Sequence, residues 1–222
     1  MRTSTVFCGN FGNQFDFSQE SLEFALCYLP DTSFRESILR YQNHNQKWMS
    51  LLGRQLLFKG LAELGHPINE TTVWSKAIYG RPYIKAFPDF NISHSGELAV
   101  CAIGEKGKRV GIDIQREKNL GPRLLNQVFT AQELDWVAGK KSRAARLWSR
   151  KEAVTKLLGL GMRVNFRKLE ALSNQVTFEG KSYYLQNIPV SDGYQCTLAG
   201  ETPLDVQLNL YHWSSLNQMD KY

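Results

Sequence analysis

Two acidic segments of the chain carry the residue types best suited to chemistry. Residues 111–115 read Gly-Ile-Asp-Ile-Gln, so Asp113 lies between apolar residues at the two-residue alternation of a strand. Residues 148–156 read Trp-Ser-Arg-Lys-Glu-Ala-Val-Thr-Lys, and the i, i+4 spacing places Glu152 and Lys156 on one helix face. Opposed in space, Asp113 and Glu152 would form an oxygen-ligand site for a hard metal. Mg²⁺ binds few protein carboxylates and completes its shell with water and phosphate oxygens, so the pattern is typical of enzymes that handle phosphate.

The elements that would position these residues occur in the same order twice. Helical spacing and stop signals predict helices over 19–29, 33–64, 120–139 and 143–158. Alternation and turn residues predict strands over 78–79, 83–84, 90–96, 98–103, 110–114, 175–179, 182–187, 194–199 and 205–212. Helices followed by strands, twice, predict an α+β fold of two similar halves, 1–107 and 108–222, each with helices on a small antiparallel sheet. The second half would carry the metal site.

Bulk composition narrows the class of protein. The 222 residues are 42% hydrophobic and carry a net charge of +6, which suits a globular protein with an anionic partner. No basic segment followed by an apolar run opens the chain, and the longest apolar run, 98–103, is far shorter than a membrane span. The four cysteines form no C-x-x-C pair, which argues against a zinc ribbon. We therefore expect a protein of the cytoplasm with reduced thiols and no membrane contact.

Further motifs surround the two acidic segments in a fixed order. Residues 80–82 read Gly-Arg-Pro and residues 90–96 read Phe-Asn-Ile-Ser-His-Ser-Gly. Phe129 and Glu133 precede the tryptophan segment, and Gly-Leu-Gly follows it at 159–161. Together with the acidic segments, this order resembles the surfactin-synthetase-activating type of 4′-phosphopantetheinyl transferase over roughly residues 35–200.

The resemblance implies a fold, an activity and partners. Members of this family are monomers of two similar α+β halves, with coenzyme A bound in the cleft between them. They move the phosphopantetheine arm of coenzyme A onto a serine of an apo acyl or peptidyl carrier protein and release 3′,5′-ADP. The expected cofactor is Mg²⁺, with Mn²⁺ as an alternative, and the expected carrier is acidic around its reactive serine.

The resemblance also assigns roles to individual residues. The metal ligands would be Asp113, Gln115 and Glu152, and the catalytic residues would be Glu152, as base toward the carrier serine, and Lys156, on the departing phosphate. The cofactor-binding residues would be Arg81, Ser93, His94, Lys151 and Lys156. Two positions depart from the family pattern: Gln115 stands where glutamate is usual, and Leu160 stands where lysine is usual.

Several of these residues also have a plain structural interpretation, and His94 alone would be a structural histidine. Asp113 alone would be a solvated strand carboxylate, Glu152 and Lys156 would be a surface ion pair worth a few tenths of a kcal/mol, and Arg81 would be a solvated turn residue. Trp148 is predicted to be a packing residue that orients its helix. The basic residues of the first-half helices either reach a phosphate or are solvated; they are Arg40, His44, Lys47 and Arg54.

A basic run precedes the tryptophan segment and has two readings. It comprises Lys140, Lys141, Arg143, Arg146 and Arg150. The run is either a solvated face or the surface on which an acidic carrier docks. Two other functions compete with the transferase: a nucleic-acid-binding protein, for which no basic face with interleaved aromatics is found, and a coenzyme A-binding protein without activity, in which Gln115 marks a decayed metal site.

Overall fold

The protein is an α+β structure built on two four-stranded sheets. The computed structural model describes residues 3–27, 29, 32–69, 72–215 and 218. The helices are α1 (Gln19–Cys27), α2 (Thr32–Leu39), α3 (His44–Glu63), α4 (Pro122–Val128), α5 (Ala131–Val137) and α6 (Lys141–Leu158). The strands are β1 (Ser4–Phe11), β2 (Trp74–Lys76), β3 (Pro82–Ile84), β4 (Phe90–Ser95), β5 (Leu98–Ile103), β6 (Val110–Arg116), β7 (Gln175–Phe178), β8 (Lys181–Ile188), β9 (Tyr194–Gly200) and β10 (Val206–Trp213).

The first sheet has the strand order β10-β1-β5-β4 and is covered by α3. Strand β1 pairs in parallel with β10, from Ser4 opposite Val206 to Phe11 opposite Trp213, and antiparallel with β5. A small sheet of β2 and β3 stands apart. The first sheet is therefore mixed, whereas the sequence predicted an antiparallel sheet.

The second sheet has the strand order β6-β9-β8-β7 and is entirely antiparallel. Helix α6 packs across β6 and β9. Local sequence signals define where these helices begin and end. Thr130 and Glu133 form a capping box at the start of α5, and Gly159 ends α6 in the left-handed conformation (φ 73°). These local signals set the two ends of the segment that carries the predicted chemistry.

The edge strands β4 and β6 of the two sheets lie side by side and are joined through side chains. Backbone N–H groups of β6 donate to side-chain oxygens that lie 21 positions earlier along the chain. The pairs are Val110 to Asp89 (2.9 Å), Ile112 to Asn91 (2.9 Å), Ile114 to Ser93 (3.4 Å) and Arg116 to Ser95 (3.0 Å). This side-chain ladder satisfies donors that an edge strand otherwise leaves unpaired, and it aligns the two halves at the predicted site.

The described residues form three apolar clusters in the interior. One lies between α1–α3 and the first sheet, and one lies around α4–α6 and the second sheet. The third combines strands from both sheets, with Val6 and Val100 from the first and Ile112 and Leu198 from the second. The two halves therefore share part of their core. No helix in the described ranges is both long enough and apolar enough to cross a bilayer.

Most predicted elements are present, with shifts at their ends and several corrections. The predicted helix 33–64 is two helices, α2 and α3, and the predicted helix 120–139 is α4 and α5. Residues 78–79 form a turn rather than a strand, and β1 has no predicted counterpart. Tyr28, in the predicted helix 19–29, lies outside the described residues, as do the ends of the predicted halves, residues 1 and 222.

The last strand, β10, belongs to the first sheet. The sequence order predicts it in the second half, 108–222, yet it pairs with β1. Long-range parallel pairing leaves no trace in the local pattern of the strand, so only the folded chain reveals it. The division into 1–107 and 108–222 and the pseudo-twofold relation of the halves remain predictions.

Candidate active site at the seam of the two sheets

The two acidic segments meet because α6 lies directly on β6. A Cβ atom added to Gly111 would stand 2.1 Å from the carbonyl oxygen of Ala153 and 2.5 Å from the amide nitrogen of Leu157. Any side chain at this position would push the helix away from the strand. Gly111 therefore allows the close approach that brings Asp113 of β6 and Glu152 of α6 into one site.

Asp113 is the centre of the site. It is 2% exposed, and its Oδ1 accepts hydrogen bonds from Lys156 Nζ at 2.6 Å and Ser93 Oγ at 2.8 Å. Its Oδ2 accepts from Gln115 Nε2 at 2.8 Å. Lys156 Nζ also donates to Ser93 Oγ at 2.7 Å. Side chains of β4, β6 and α6 thus converge on one buried carboxylate.

Glu152 lies close enough to Asp113 to sense its charge. Burial and, to a smaller extent, repulsion from Asp113 raise the pKa of the Glu152 carboxyl to about 7, against the opposing attraction of Lys156. A carboxyl group with a pKa near neutrality can accept and return a proton at physiological pH. Glu152 therefore has a property that a general base needs, and its assignment as the base toward the carrier serine remains a prediction.

The first half contributes two further groups, the His94 imidazole and the Arg54 guanidinium. Burial lowers the pKa of His94, and the charges of Lys156 and Arg54 lower it further, so the imidazole is neutral at pH 7. Arg54 of α3 donates to Ser50 and Ser37 and stacks over Trp74 at 5.7 Å.

Arg54 differs from the other basic residues of the first-half helices. Within the described residues no carboxylate lies at ion-pair distance from its guanidinium, and burial lowers its pKa to about 10. A buried guanidinium without an acid partner suits an anion. By contrast, Arg40 pairs with Glu36 at 4.0 Å, and His44 contacts the Phe17 carbonyl at 2.6 Å. The sequence does not distinguish Arg54 from the neighbouring basic residues, because the lack of an acid partner among the described residues is visible only in the folded chain.

The donor set at the seam is small but suits a hard cation. The described residues contain no group of three or more histidine, cysteine, aspartate or glutamate side chains placed to share a metal. Two carboxylates, Asp113 and Glu152, repel each other here, and the Lys156 ammonium already lies against one of them. Gln115 directs its amide nitrogen toward Asp113 at 2.8 Å, so its carbonyl oxygen is not placed beside the two carboxylates and its role as a ligand remains a prediction. Two carboxylates, with water completing the shell, match the preferences of Mg²⁺.

Lys151 is not a cofactor contact. Its side chain is 0% exposed, and Nζ donates to Glu133 Oε2 at 2.6 Å, the Phe166 carbonyl at 2.8 Å and the Val128 carbonyl at 3.1 Å. An ammonium has three donor hydrogens, and all three are taken inside the second half. The structure corrects the sequence prediction: Lys151 holds α6 to α5 and the neighbouring loops.

Arg81 also faces inward rather than into the cleft. It is 8% exposed, and its guanidinium donates to Asp89, to the carbonyls of Phe90 and Val110, and to the carbonyl of Lys156. The predicted phosphate contact therefore has no support from this geometry. The turn pattern Gly-Arg-Pro could not reveal where the side chain points.

The basic run is mostly committed to intramolecular contacts. Arg143 donates to the Trp136 carbonyl at 2.8 Å and stacks on its ring, and Arg150 is buried against residues 173–174. Arg146 faces the Asn187 amide. Only Lys140 and Lys141 of the run are exposed, so the predicted docking face is reduced to these two lysines.

An apolar groove opens beside the site. Its volume is about 290 Å³, and its lining comprises Gln115, Arg116, Lys118, Leu120, Leu124, Ala145 and Trp148. Trp148 also stacks on Phe166 at a centroid distance of 5.8 Å, which agrees with its predicted packing role. The groove begins at Gln115 and thus at the edge of the donor set, so an extended ligand could run from the carboxylates into it.

Comparison with known proteins adds an independent observation. Residues 109–199 match the model of the 4′-phosphopantetheinyl transferase superfamily. The chain is 32% identical over 177 residues to the 4′-phosphopantetheinyl transferase gsp of Aneurinibacillus migulanus, covering 73% of each chain. It is 27% identical over 212 residues to the 4′-phosphopantetheinyl transferase Sfp of Bacillus subtilis (strain 168), covering 87% of this chain and 93% of the relative. The matched segment 109–199 contains Asp113, Glu152 and Lys156.

Proposed function

Because the chain belongs to the 4′-phosphopantetheinyl transferase superfamily, we propose that it transfers the phosphopantetheine arm of coenzyme A to a serine of an apo carrier protein. The observation that carries this function is the convergence of Asp113, Glu152 and Lys156 at the seam of the two sheets. Coenzyme A would lie across this seam, between Arg54 of the first half and the carboxylates of the second half.

The bond changes follow from the groups present. The carrier serine Oγ attacks the β-phosphorus of coenzyme A, the new O–P bond forms, and the P–O bond to 3′,5′-ADP breaks. Glu152, with its pKa raised to about 7, accepts the serine proton. Lys156 lies 2.6 Å from Asp113 and keeps 26% of its side chain exposed, so its ammonium can shift to an oxygen of the leaving phosphate and balance the charge that develops there.

Asp113, Glu152 and the Gln115 carbonyl would hold Mg²⁺, for which Mn²⁺ is an alternative. When bound, the cation would neutralise the pyrophosphate and polarise its P–O bonds. Ser93 supports this role, because its hydroxyl donates to Asp113 and holds that carboxylate in place.

Arg54 and His94 are proposed to bind the phosphates of coenzyme A from the first-half side. Arg54 supplies a guanidinium that has no acid partner among the described residues, and neutral His94 supplies a hydrogen-bonding ring whose pKa is lowered by burial and by the charges of Lys156 and Arg54. The groove beside Trp148 would receive the pantetheine arm, because it begins at Gln115 and is lined largely by apolar groups.

The partner is proposed to be an acidic carrier protein that approaches the N-terminal end of α6, where Lys140 and Lys141 are exposed. The four cysteines are free thiols, which fits a monomer at work in a reducing cytoplasm.

One experiment tests the function. The purified protein is incubated with coenzyme A, Mg²⁺ and an apo carrier, and the intact mass of the carrier is recorded. The expected result is the mass of the added arm on the carrier, with equimolar release of 3′,5′-ADP. Coenzyme A binding without any modified carrier, over a panel of acyl and peptidyl carriers, would instead support a binding protein with a decayed site.

A further inference from the structure

The Arg81 guanidinium joins both halves at the end of the helix that carries Lys156. Arg81 lies just before β3, in the first half, and four acceptors surround it. Its Nη2 donates to Asp89 Oδ2 at 2.5 Å, to the Val110 carbonyl at 2.8 Å and to the Phe90 carbonyl at 3.2 Å. Its Nη1 donates to the Lys156 carbonyl. One buried side chain thus contacts the start of β4, the start of β6 and the last turn of α6.

The contact with α6 involves the residue proposed to stabilise the leaving group. The Lys156 carbonyl belongs to the last turn of the helix, where the backbone dipole is negative and a cation is favourable. The same carbonyl accepts from Gly159 N at 3.1 Å. Because backbone and side chain belong to one residue, a fixed Lys156 carbonyl limits the positions that its ammonium can occupy between Asp113 and Ser93.

Asp89 completes the arrangement on the strand side. Its Oδ2 accepts from Val110 N at 2.9 Å and from Arg81 Nη2. The Val110 carbonyl accepts from Arg81 as well. Both backbone polar groups of Val110 are therefore held by this one pair, three residues before Asp113, and the pair is the first step of the side-chain ladder along β4 and β6.

We propose that Arg81 and Asp89 are positioning residues of the transfer reaction, a buried pair that sets β6 and α6 in register so that Lys156 meets Asp113 and Glu152. This inference rests on the proposed function. It differs from the phosphate contact expected from the turn pattern. A guanidinium that already donates to four protein acceptors cannot also form a bidentate hydrogen bond with a ligand phosphate.

The two roles predict different kinetics. A positioning residue acts on the chemical step, so Arg81→Met should lower kcat about 10- to 100-fold, the cost of misplacing a reacting group by roughly an ångström. The KM for coenzyme A and the preference over dephospho-coenzyme A should change by no more than about twofold. Asp89→Asn keeps an acceptor for Val110 N but loses the negative charge, so it should lower kcat by a smaller factor than Arg81→Met does.

A double-variant comparison separates positioning from general destabilisation. If Arg81 acts through Lys156, then adding Arg81→Met to a Lys156→Met variant should lower the kcat of that variant by at most about twofold. A merely structural role would give the same loss in both backgrounds. Leu22→Ala, in the core of the first half on α1, serves as the matched control: it should lower the melting temperature while kcat at 25 °C is unchanged.

Each outcome decides the inference. A wild-type protein that modifies no carrier overturns the proposed function itself. An active wild type whose Arg81→Met variant keeps its kcat, raises the KM for coenzyme A and loses its preference over dephospho-coenzyme A overturns the positioning role in favour of a phosphate contact. Equal losses in both backgrounds also overturn it. Should Arg81→Met fail to melt cooperatively, Arg81→Lys and Asp89→Asn supply the same comparisons.

Discussion

Helix α6 carries two lysines, five residues apart, that each pair with a carboxylate at 2.6 Å. Lys151 and Glu133 are enclosed, at 0% and 1% side-chain exposure, and every donor hydrogen of Lys151 is used. Lys156 is 26% exposed, and its partner Asp113 faces a second carboxylate, Glu152. An enclosed, fully bonded pair can only hold structure together, whereas an open pair beside an excess negative charge can exchange its cation for a ligand. We call Lys151–Glu133 the enclosed pair and Lys156–Asp113 the open pair. The same chemical pair thus serves stability in one place and function in the other.

The pairs also differ in what surrounds the carboxylate. Glu133 accepts from Thr130 N at 2.9 Å and Ala171 N at 3.1 Å in addition to Lys151, so backbone donors from two segments offset its burial. Within the part of the chain that the structure describes, Asp113 receives only side-chain donors, from Ser93, Gln115 and Lys156. Side chains can rotate away when a cation arrives, while backbone donors at a helix start cannot. This difference predicts which pair tolerates rearrangement.

Isosteric neutralisation of the open pair should have the largest effect on activity. Asp113→Asn removes a proposed cation ligand and the partner of Lys156, so transfer should fall by at least about 10³-fold, more than the loss of one transition-state donor. Thermal unfolding should change little, because Lys156 can turn to solvent. Single-turnover mass spectrometry of the carrier measures the rate. A variant with a rate near that of the wild type would show that the open pair has no part in the chemistry.

The matched change in the enclosed pair should affect stability instead. Glu133→Gln leaves the Lys151 charge buried without a counter-ion, which costs about 3–5 kcal/mol of unfolding free energy. Denaturant unfolding measures this loss, and kcat of the folded fraction should remain within about twofold of the wild type. The double variant Lys151→Met/Glu133→Leu should recover much of the loss, since an apolar pair of similar size avoids the unpaired charge. A stable Glu133→Gln protein with impaired transfer would assign the enclosed pair to the reaction.

Cation binding should be linked to protons at the open pair only. Glu152 has a folded-state pKa raised to about 7 without a cation, so below that pH the carboxyl is protonated and a cation must displace the proton. The apparent affinity for Mg²⁺ should therefore fall about tenfold per pH unit below pH 7 and level off above it. Calorimetry in buffers of different ionisation enthalpy would record proton release. An affinity that stays constant from pH 6 to 8 would exclude Glu152 as a ligand.

Much of this site could be predicted from the sequence because its residues follow local periods. Asp113 alternates on a strand, and Glu152 and Lys156 repeat at helical spacing, so each falls on a predictable face. The roles of Arg81 and Lys151 could not be predicted, because the acceptors that surround each side chain come from segments distant in the sequence.

The same limit applies to the fold. Strands β4–β9 follow alternation, apolar runs and turn signals, and the pattern predicts each of them to within one or two residues at its ends. β1 is almost wholly buried, as is β5, but its sequence Ser-Thr-Val-Phe-Cys-Gly-Asn-Phe has neither the alternation of a half-buried strand nor the continuous apolar run of β5. The pairing of β10 with β1 joins opposite ends of the chain, and no local pattern encodes such a contact.

The role of Gln115 sharpens the description of the open pair. Its amide donates to Asp113 at 2.8 Å and carries no charge, so it contributes less to a cation site than either carboxylate. Gln115→Ala should reduce transfer by less than about tenfold, or 1.4 kcal/mol, at saturating Mg²⁺. Gln115→Glu, which restores the usual family residue, should raise the apparent affinity for Mg²⁺. Equal losses in Gln115→Ala and Asp113→Asn would make Gln115 an essential direct ligand.

The smallest effect is expected at the exposed start of α6, far along the helix from both pairs. Lys140 and Lys141 are the exposed members of the basic run, whereas Arg143, Arg146 and Arg150 are held by protein groups. Exposed charges interact weakly, by up to about 1 kcal/mol, and mainly speed encounter. Lys140→Glu/Lys141→Glu should therefore raise the KM for the carrier about threefold at low salt, with kcat and the KM for coenzyme A unchanged.

A second double variant with the same change in net charge tests whether the position of the lysines, rather than the net charge of the protein, determines the carrier KM. Lys85→Glu/Lys181→Glu alters the same number of charges at exposed lysines away from α6, and it should leave the carrier KM near the wild-type value. Added salt should reduce the difference between the two double variants, because the Debye length falls to about 8 Å at physiological ionic strength. If both double variants raise the carrier KM equally, the overall positive charge attracts the carrier and the start of α6 has no special part. If neither does, neither the start of α6 nor the overall positive charge contributes measurably to carrier docking, and α6 takes part in the reaction only through Glu152 and Lys156.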